Sequence, residues 1–287
     1  YSLRGNDVIP VLFLNTLFCS AIFLPLILLS QDTRVLDGSI FHVGSGGWEM
    51  HRWILLKSMI VLLSWVFGYF AIAHLPLTIV GPVNATRPVM TLVGAMAVFG
   101  ERLNGWQWAG VVLAVVSLFL LARSGRKEGI DFSHNKWICF LVLAALTGTC
   151  SGLLDKYLMA SPENGGVGLD RMMAQSWYNI YQCLMMAAVF IIYKVRRHGS
   201  KTAHTSFKWK WSVLLISLFL SMADFAYFYA LSMPGAMISI VSMVRRGSVI
   251  VSFLCGALLF REKNLKAKAI DLCFVLLGMI CLWIGSY

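Results

Sequence analysis

The residues best suited to chemistry in this sequence are charged side chains that lie inside long apolar stretches. They are Arg87, Asp224, Arg245, Arg246 and Asp271. A charge at the centre of a bilayer costs about 3 kcal/mol on insertion scales, so these side chains are expected to face the interior of the protein. An arginine there can bind an anionic group, and an aspartate there can carry a proton. The sequence therefore predicts an interior polar site for a small solute.

Polar residues accompany two of these arginines at helical spacing. Asn84 stands three residues before Arg87 and Thr91 four residues after it, so the three side chains share one face of a helix. Ser242 stands three residues before Arg245 in the same way. We therefore expect two polar helix faces, each with an arginine, to line a central substrate-binding cavity.

Aromatic residues are expected on the walls of the same cavity. Tyr227 stands three residues after Asp224, and Trp65 and Tyr69 are spaced i, i+4. Rings at these positions could hold a planar or apolar solute between them. A polar stripe on another stretch is expected to face the cavity as well, and it consists of Gln175, Tyr178 and Gln182.

The pattern leaves the partners of these charges open. Asp224 could form a structural ion pair with Arg245 or Arg246, or it could take part in substrate or proton coupling. Arg87 could bind an anionic group of the substrate, backbone carbonyls or Asp224 itself. Lys57 is placed near the end of its apolar stretch, where its ammonium can reach the membrane interface, which favours a structural role over a functional one.

Long apolar stretches must position these residues. Of the 287 residues, 59% are hydrophobic and 13% are charged, whereas about 25% are charged in typical soluble domains. A membrane-spanning helix needs about 20 mostly apolar residues. The stretches of that length are predicted as spans at 9–29, 53–74, 77–99, 104–122, 137–159, 171–194, 211–232, 235–260 and 265–286. Because these runs are continuous rather than alternating, they favour an all-α integral membrane protein over a β-barrel.

The net charge of +11 lies mainly between the spans and predicts topology rather than a nucleic-acid surface. Fifteen positive residues fall on the side of the N-terminus and six on the opposite side. The positive-inside rule places the first side in the cytoplasm. The seven cysteines fall in apolar segments without metal-ligand spacing, so we interpret them as small buried hydrophobic residues and expect no metal and no cofactor.

The sequence also contains an internal repeat. Tyr69 and Tyr227 each stand seven residues before a proline, and each proline stands eleven residues before an embedded arginine, Arg87 or Arg245. Each arginine-bearing stretch ends in a charged turn that is followed by one more span. The matched spans are an odd number of crossings apart, so the two copies must run through the membrane in opposite directions.

With these features the chain resembles the drug/metabolite transporter superfamily in its EamA-type branch. The resemblance is carried by Leu75-Pro76, by Phe99-Gly100-Glu101-Arg102-Leu103, by the helix of Gly110, by Leu153-Leu154-Asp155-Lys156 and by Leu259-Phe260-Arg261-Glu262-Lys263. It implies ten helices in two inverted halves of five. Residues 1–122 would be the first repeat with four of its five helices, 123–136 a connecting loop and 137–287 the second repeat. About nine transmembrane helices would then be present, and the first helix would be expected to precede Tyr1.

The function predicted from these features is secondary active transport of a small metabolite by alternating access, with an anionic or zwitterionic substrate favoured. Export coupled to protons through Asp224 is one form of that activity. The chain has no phosphate-binding loop of the G-x-x-x-x-G-K-[ST] type that would indicate a nucleotide-driven pump. A sensor or scaffold without transport is an alternative, and a membrane-embedded lipid-modifying enzyme is a weaker one, because we find no catalytic motif.

The expected partners follow from that function. They are a small-molecule substrate and the lipid bilayer, with no nucleic acid, and the protein is expected to act as a monomer or homodimer. We expect it to be a multi-pass protein of the bacterial cytoplasmic (inner) membrane.

Overall fold

The computed structural model describes residues 6–32, 34–99, 104–126, 135–198, 208–233, 241, 245, 250–251, 254–255 and 265–285. Within these ranges the regular structure is entirely helical. The α-helices are α1 Val8–Asp32, α2 Trp48–His74, α3 Leu77–Ala85, α4 Arg87–Phe99, α5 Gly105–Arg126, α6 Lys136–Met159, α7 Arg171–His198, α8 Trp211–Leu231 and α9 Leu265–Ile284. The prediction of an all-α chain is confirmed.

Five of these helices are long and apolar enough to cross a membrane, namely α1, α2, α6, α8 and the part of α7 at Arg171–Val195. Shorter apolar stretches lie in α5 at Gly105–Ser117 and in α9 at Leu272–Ile284. The span predicted at 235–260 lies outside the described residues except for a few helical positions. The count of about nine spans and the inverted repeat therefore stay predictions.

The span predicted at 77–99 is not one continuous helix, because it is divided into α3 and α4 at Thr86. Pro88 has no amide hydrogen, so the carbonyl of Asn84 cannot receive the helical bond from four residues ahead. The Thr86 amide and hydroxyl instead bond back to the carbonyl oxygen of Val83, at 3.3 Å and 2.7 Å. As a result, Arg87 begins α4 rather than standing in the middle of a long helix.

The chain forms two compact units, which we call unit 1 (Tyr1–Val66 with Leu154–Pro234) and unit 2 (Phe67–Leu153 with Gly235–Tyr287). Helices α2 and α6 contribute residues to both. This grouping differs from the two consecutive repeats predicted at 1–122 and 137–287, because it is defined by contacts in space. The sequence repeats stay a prediction.

In unit 1, α1 packs against α7 and α8. Small polar side chains make several of the buried contacts between these helices. Ser20 donates to the carbonyl oxygen of Asn179 at 2.7 Å, and Ser217 donates to Oδ1 of Asn15 at 2.7 Å. Such side-chain bonds hold helices together in a membrane, where the lipid is as apolar as the protein core.

In unit 2, α5 packs against α9 at a close backbone crossing. A Cβ atom added to Gly110 would lie 2.8 Å from the carbonyl oxygen of Gly278, and one added to Gly278 would lie 3.1 Å from that of Gly110. Only glycine allows this approach. Gly152 on α6 differs from both, because a Cβ atom added there would meet nothing within 4 Å.

The outer surface carries many large apolar side chains, and Phe119 is 70% exposed. Cys139, Cys150 and Cys273 are also exposed, so the interpretation of all cysteines as buried is wrong for these three. The outside of a membrane protein is as apolar as its inside, so hydrophobicity alone cannot tell a lipid-facing residue from a core residue.

Candidate functional site

The predicted arginine site lies in unit 2, where α4 begins. The guanidinium of Arg87 donates from Nη2 to the carbonyl oxygen of Ala144 on α6, at 2.8 Å. Its Nε is buried and has no hydrogen-bond partner among the described residues. A guanidinium has five N–H donors, and the one on Nε is unused in the described part of the chain.

The two residues predicted to share a face with Arg87 have different surroundings. Oδ1 of Asn84 is buried and has no partner among the described residues. The hydroxyl of Thr91 is buried and donates to the carbonyl oxygen of Arg87, at 2.9 Å. Thr91 therefore stabilises the first turn of α4, while Asn84 retains an acceptor that is not satisfied within the described structure.

The second predicted arginine, Arg245, is also described and half-buried in unit 2. Its charge acts on the guanidinium of Arg87, so two positive charges are near each other in this unit. Ser242, predicted to accompany Arg245, lies outside the described residues, as does Arg246. Tyr69 belongs to the same unit and is half-buried.

Unit 1 contains a buried ion pair that the sequence did not predict. The ammonium of Lys57 on α2 contacts Oδ1 of Asp155 on α6, and the two residues are only 2% and 4% exposed. Tyr227 on α8 donates to the other carboxylate oxygen of Asp155, at 3.2 Å. The interpretation of Lys57 as a residue that reaches the membrane interface is therefore wrong, because its ammonium is held inside the helix bundle.

The predicted site residues of α7 and α8 meet beside this ion pair. Tyr178 donates its hydroxyl hydrogen to Oδ2 of Asp224. The ammonium of Lys57 lies 5.2 Å from the ring centroid of Tyr178 and 4.8 Å from that of Phe228. Cation–π attraction therefore adds to the ion pair with Asp155 in holding the ammonium. We call Lys57, Asp155, Tyr178, Asp224 and Tyr227 the charged cluster.

The polar stripe of α7 is buried next to the charged cluster. Gln175 donates to the carbonyl oxygen of Ser221 at 3.1 Å, while its own Oε1 has no partner in the described ranges. Gln182 is 0% exposed, and neither of its amide atoms has a partner there. These atoms form a second group with unused hydrogen-bonding capacity.

The predicted single cavity thus draws on residues of both units. Trp65 is half-buried in unit 1 with Gln175, Tyr178, Asp224 and Tyr227, whereas the arginines belong to unit 2 with Tyr69, Asn84 and Thr91. That all of them bind one substrate stays a prediction. Among the described residues, no group of three or more His, Cys, Asp or Glu side chains could hold a metal ion.

An open pocket of about 420 Å³ in unit 1 was not predicted. It lies where α7 begins, and Arg171 donates there to the hydroxyl of Ser232 at 3.3 Å and lies 4.4 Å from the ring centroid of Tyr229. Asp170 beside it caps α7 through the amide of Met173, at 2.7 Å. Arg171 and Asp170, the charged residues at this end of the pocket, are therefore engaged with other groups of the protein.

Lys57 and Asp155 are the residues of this region that sequence reasoning missed. α2 begins at Trp48, five residues before the predicted span, which moves Lys57 well inside the helix. The sequence did contain a signal for a partner of Lys57, because Asp155 lies in another apolar stretch, in the motif Leu154-Asp155-Lys156. The charges of two stretches have to be compared to find such a pair.

Comparison with known proteins agrees with this architecture. One crystal structure of a protein superposes with a TM-score of 0.63 at 13% identity, over 97% of this chain and 88% of that chain. At that identity the likeness shows the fold alone. No curated protein matches the sequence. Residues 1–123 match the model of the EamA-like transporter family, whose members are membrane transporters of the drug/metabolite type. The first part of the chain is therefore similar to the EamA-like transporter family, and with its apolar helices this similarity points to an integral membrane protein.

Proposed function

We propose that the protein is a secondary transporter that moves an anionic or zwitterionic small metabolite by alternating access, and that Arg87 binds the anionic group. The observation that carries this proposal is the buried Nε of Arg87, which has no partner among the described residues. A buried donor of this kind costs free energy unless something satisfies it. A substrate carboxylate or phosphate would do so.

The electrostatics of this position favour an anion over a neutral solute. The charge of Arg245 acts on Arg87, so an anion between or beside them would be attracted to both. Arg87 also begins α4, and the start of a helix carries a partial positive charge of about half an elementary charge. A guanidinium and a helix start together match the planar, charged oxygens of a carboxylate or phosphate.

The divided helix supports transport as the use of this site. Substrate sites of secondary transporters are typically formed by discontinuous helices whose half-helix starts face anionic groups. The break at Thr86 and the arginine that follows it fit that pattern. The similarity of residues 1–123 to the EamA-like family supplies the other support, since members of that family are transporters.

Energy for transport would come from a proton gradient, with Asp224 as the coupling residue and export as the direction. The protein would act in the bacterial cytoplasmic membrane as a monomer or homodimer. The remaining predicted cavity residues would contact other parts of the substrate, with Trp65 and Tyr69 against its apolar or planar portion.

The test is the thermal stability of the purified protein against amino acids, phosphorylated metabolites, nucleosides and cationic dyes. An anion at about a hundred times its dissociation constant should add about 2.7 kcal/mol to the free energy of unfolding. Arg87→Gln should abolish this response. Arg52→Gln, which alters an exposed arginine paired with Glu49 on α2, is the matched control and should keep it. A response to cationic dyes alone, or an anion response that survives in Arg87→Gln, would refute the assignment.

A further inference from the structure

One end of unit 1 carries lysines and tryptophans that have no part in the transport proposed above. The apolar part of α7 ends beside Lys194, and α8 begins at Trp211, directly after Lys208, Trp209 and Lys210. We call these five residues the basic end of unit 1. We propose that the basic end binds the headgroups of anionic phospholipids.

Hydrogen bonds to the start of the described chain bring the two segments of the basic end together. Asn6 donates from Nδ2 to the carbonyl oxygen of Lys208 at 2.9 Å, and the backbone amide of Lys208 donates to Oδ1 of Asn6 at 2.8 Å. The next residue, Asp7, accepts a hydrogen bond from the hydroxyl of Tyr193 at 2.6 Å. Tyr193 directly precedes Lys194. Because Asn6 and Asp7 are consecutive, the segment before α8 and this part of α7 lie at the same end of the unit.

The two tryptophans indicate where this end lies in the membrane. Trp209 is 46% exposed and Trp211 is 71% exposed, and their rings meet edge to face with centroids 5.8 Å apart. Phe18 of α1 packs against Trp209 in the same manner, also at 5.8 Å. Exposed tryptophans at the end of an apolar helix are typical of the interface between hydrocarbon and water, at the level of the lipid headgroups. The lysines beside them are therefore at the level of the phosphate groups.

The charge of this end favours anionic lipids over zwitterionic ones. Residues 194–210 contain six lysines and arginines and no aspartate or glutamate. Lys194 and Lys208 are exposed. Asp7 brings one negative charge, which three lysines of the basic end outweigh. Basic clusters of this size next to a membrane helix attract anionic headgroups, whereas a zwitterionic headgroup has no net charge to be attracted.

The lysines and the tryptophans should contribute in different ways. A lysine ammonium on its flexible stem can reach a lipid phosphate, so the lysines should determine which lipid is preferred. A tryptophan ring lies among headgroups of either kind, so the rings should report lipid contact without selecting the lipid. This difference allows the two contributions to be measured separately.

The experiment is quenching of tryptophan fluorescence in the full-length protein by brominated lipids, without any transport substrate. The protein is placed in phosphatidylcholine nanodiscs that contain an increasing fraction of brominated phosphatidylglycerol, which is anionic, or of brominated phosphatidylcholine. The ratio of the two quenching curves gives the relative binding constant of the two lipids. The double variant Trp209→Phe with Trp211→Phe shows which part of the signal comes from the basic end.

The wild-type protein should prefer the anionic lipid, and Trp209→Phe with Trp211→Phe should lose that part of the signal. Each lysine near an anionic surface strengthens binding by about fivefold, so Lys208→Gln with Lys210→Gln should lower the relative binding constant by about tenfold or more. Lys208 bonds to Asn6 through its backbone, so this variant keeps both hydrogen bonds. Arg52→Gln, at the exposed arginine paired with Glu49, is the control and should keep the preference. Added salt should weaken the preference, because mobile ions screen exposed charges.

Three results would overturn the proposal. The first is equal quenching of Trp209 and Trp211 by the two lipids, and the second is a preference that the lysine variant leaves unchanged or that Arg52→Gln lowers as much. The third is loss of the preference in sodium phosphate but not in sodium chloride of equal ionic strength, which would indicate a site for soluble phosphate instead. None of these results depends on transport, so the function proposed above is tested separately.

Discussion

The ion pair between Lys57 and Asp155 gives the sharpest prediction about stability. Both side chains are almost fully buried, and Asp155 also accepts a hydrogen bond from Tyr227. The substitution Asp155→Leu removes the carboxylate and leaves the ammonium without its counter-charge. The double variant with Lys57→Met removes both charges and replaces them with apolar groups of similar volume.

The expected magnitudes follow from these contacts. Removing one partner of a buried ion pair costs about 3–5 kcal/mol, because the remaining charge is left uncompensated. The hydroxyl of Tyr227 loses its acceptor as well, which adds about 1 kcal/mol. Asp155→Leu should therefore lower the free energy of unfolding by about 4–6 kcal/mol. The double variant should regain most of that loss, since an apolar pair in place of a buried ion pair is often neutral or stabilising.

Reversible unfolding in mixed detergent micelles measures both variants. The control is Glu49→Leu, which breaks the exposed pair of Glu49 and Arg52 on the same helix, and it should cost less than about 1 kcal/mol. The reasoning is refuted if Asp155→Leu unfolds within about 1 kcal/mol of wild type. It is also refuted if the double variant is as unstable as the sum of the two single variants.

Two further predictions concern the helices. Gly110→Ala places a Cβ 2.8 Å from the carbonyl oxygen of Gly278, and in the same unfolding assay it should destabilise the protein by about 1–3 kcal/mol. The matched control is Gly152→Ala, whose Cβ meets nothing within 4 Å, and it should be neutral or stabilising by up to about 1 kcal/mol. Pro88→Ala restores an amide that can bond to the carbonyl of Asn84. Hydrogen exchange at the junction of α3 and α4 should therefore slow, and the anion response should weaken. Unchanged exchange would contradict this prediction.

Much of the fold could be predicted from the sequence because a membrane helix is a local property. Each backbone group must be satisfied within its own segment, so a long apolar run becomes a helix whatever its neighbours are. The spans predicted at 9–29, 137–159 and 211–232 agree with α1, α6 and α8 within a few residues. The EamA-type resemblance likewise depended on local motifs and is confirmed over residues 1–123.

The candidate site was predicted less completely, and the reasons are physical. Local chemistry indicated that Asp224, Tyr178 and Gln175 are buried polar residues, and all three are buried. It could not indicate that Tyr178 bonds to Asp224, because that contact joins two helices. The break before Arg87 was predictable in principle from Pro88, but the apolar pattern across it is uninterrupted.

The amino-acid sequence is enough to recognise a helical membrane protein with charges in its interior and a first part similar to EamA-like transporters. Which charges meet depends on the packing of the helices, which pairs Lys57 with Asp155 and leaves Nε of Arg87 without a partner among the described residues. The same packing places Gly110 at a close helix contact and leaves Gly152 in open space. The physical reason is that lipid and protein interior are equally apolar. Composition therefore fixes which segments enter the membrane, while the contacts between helices alone fix which side chains face one another.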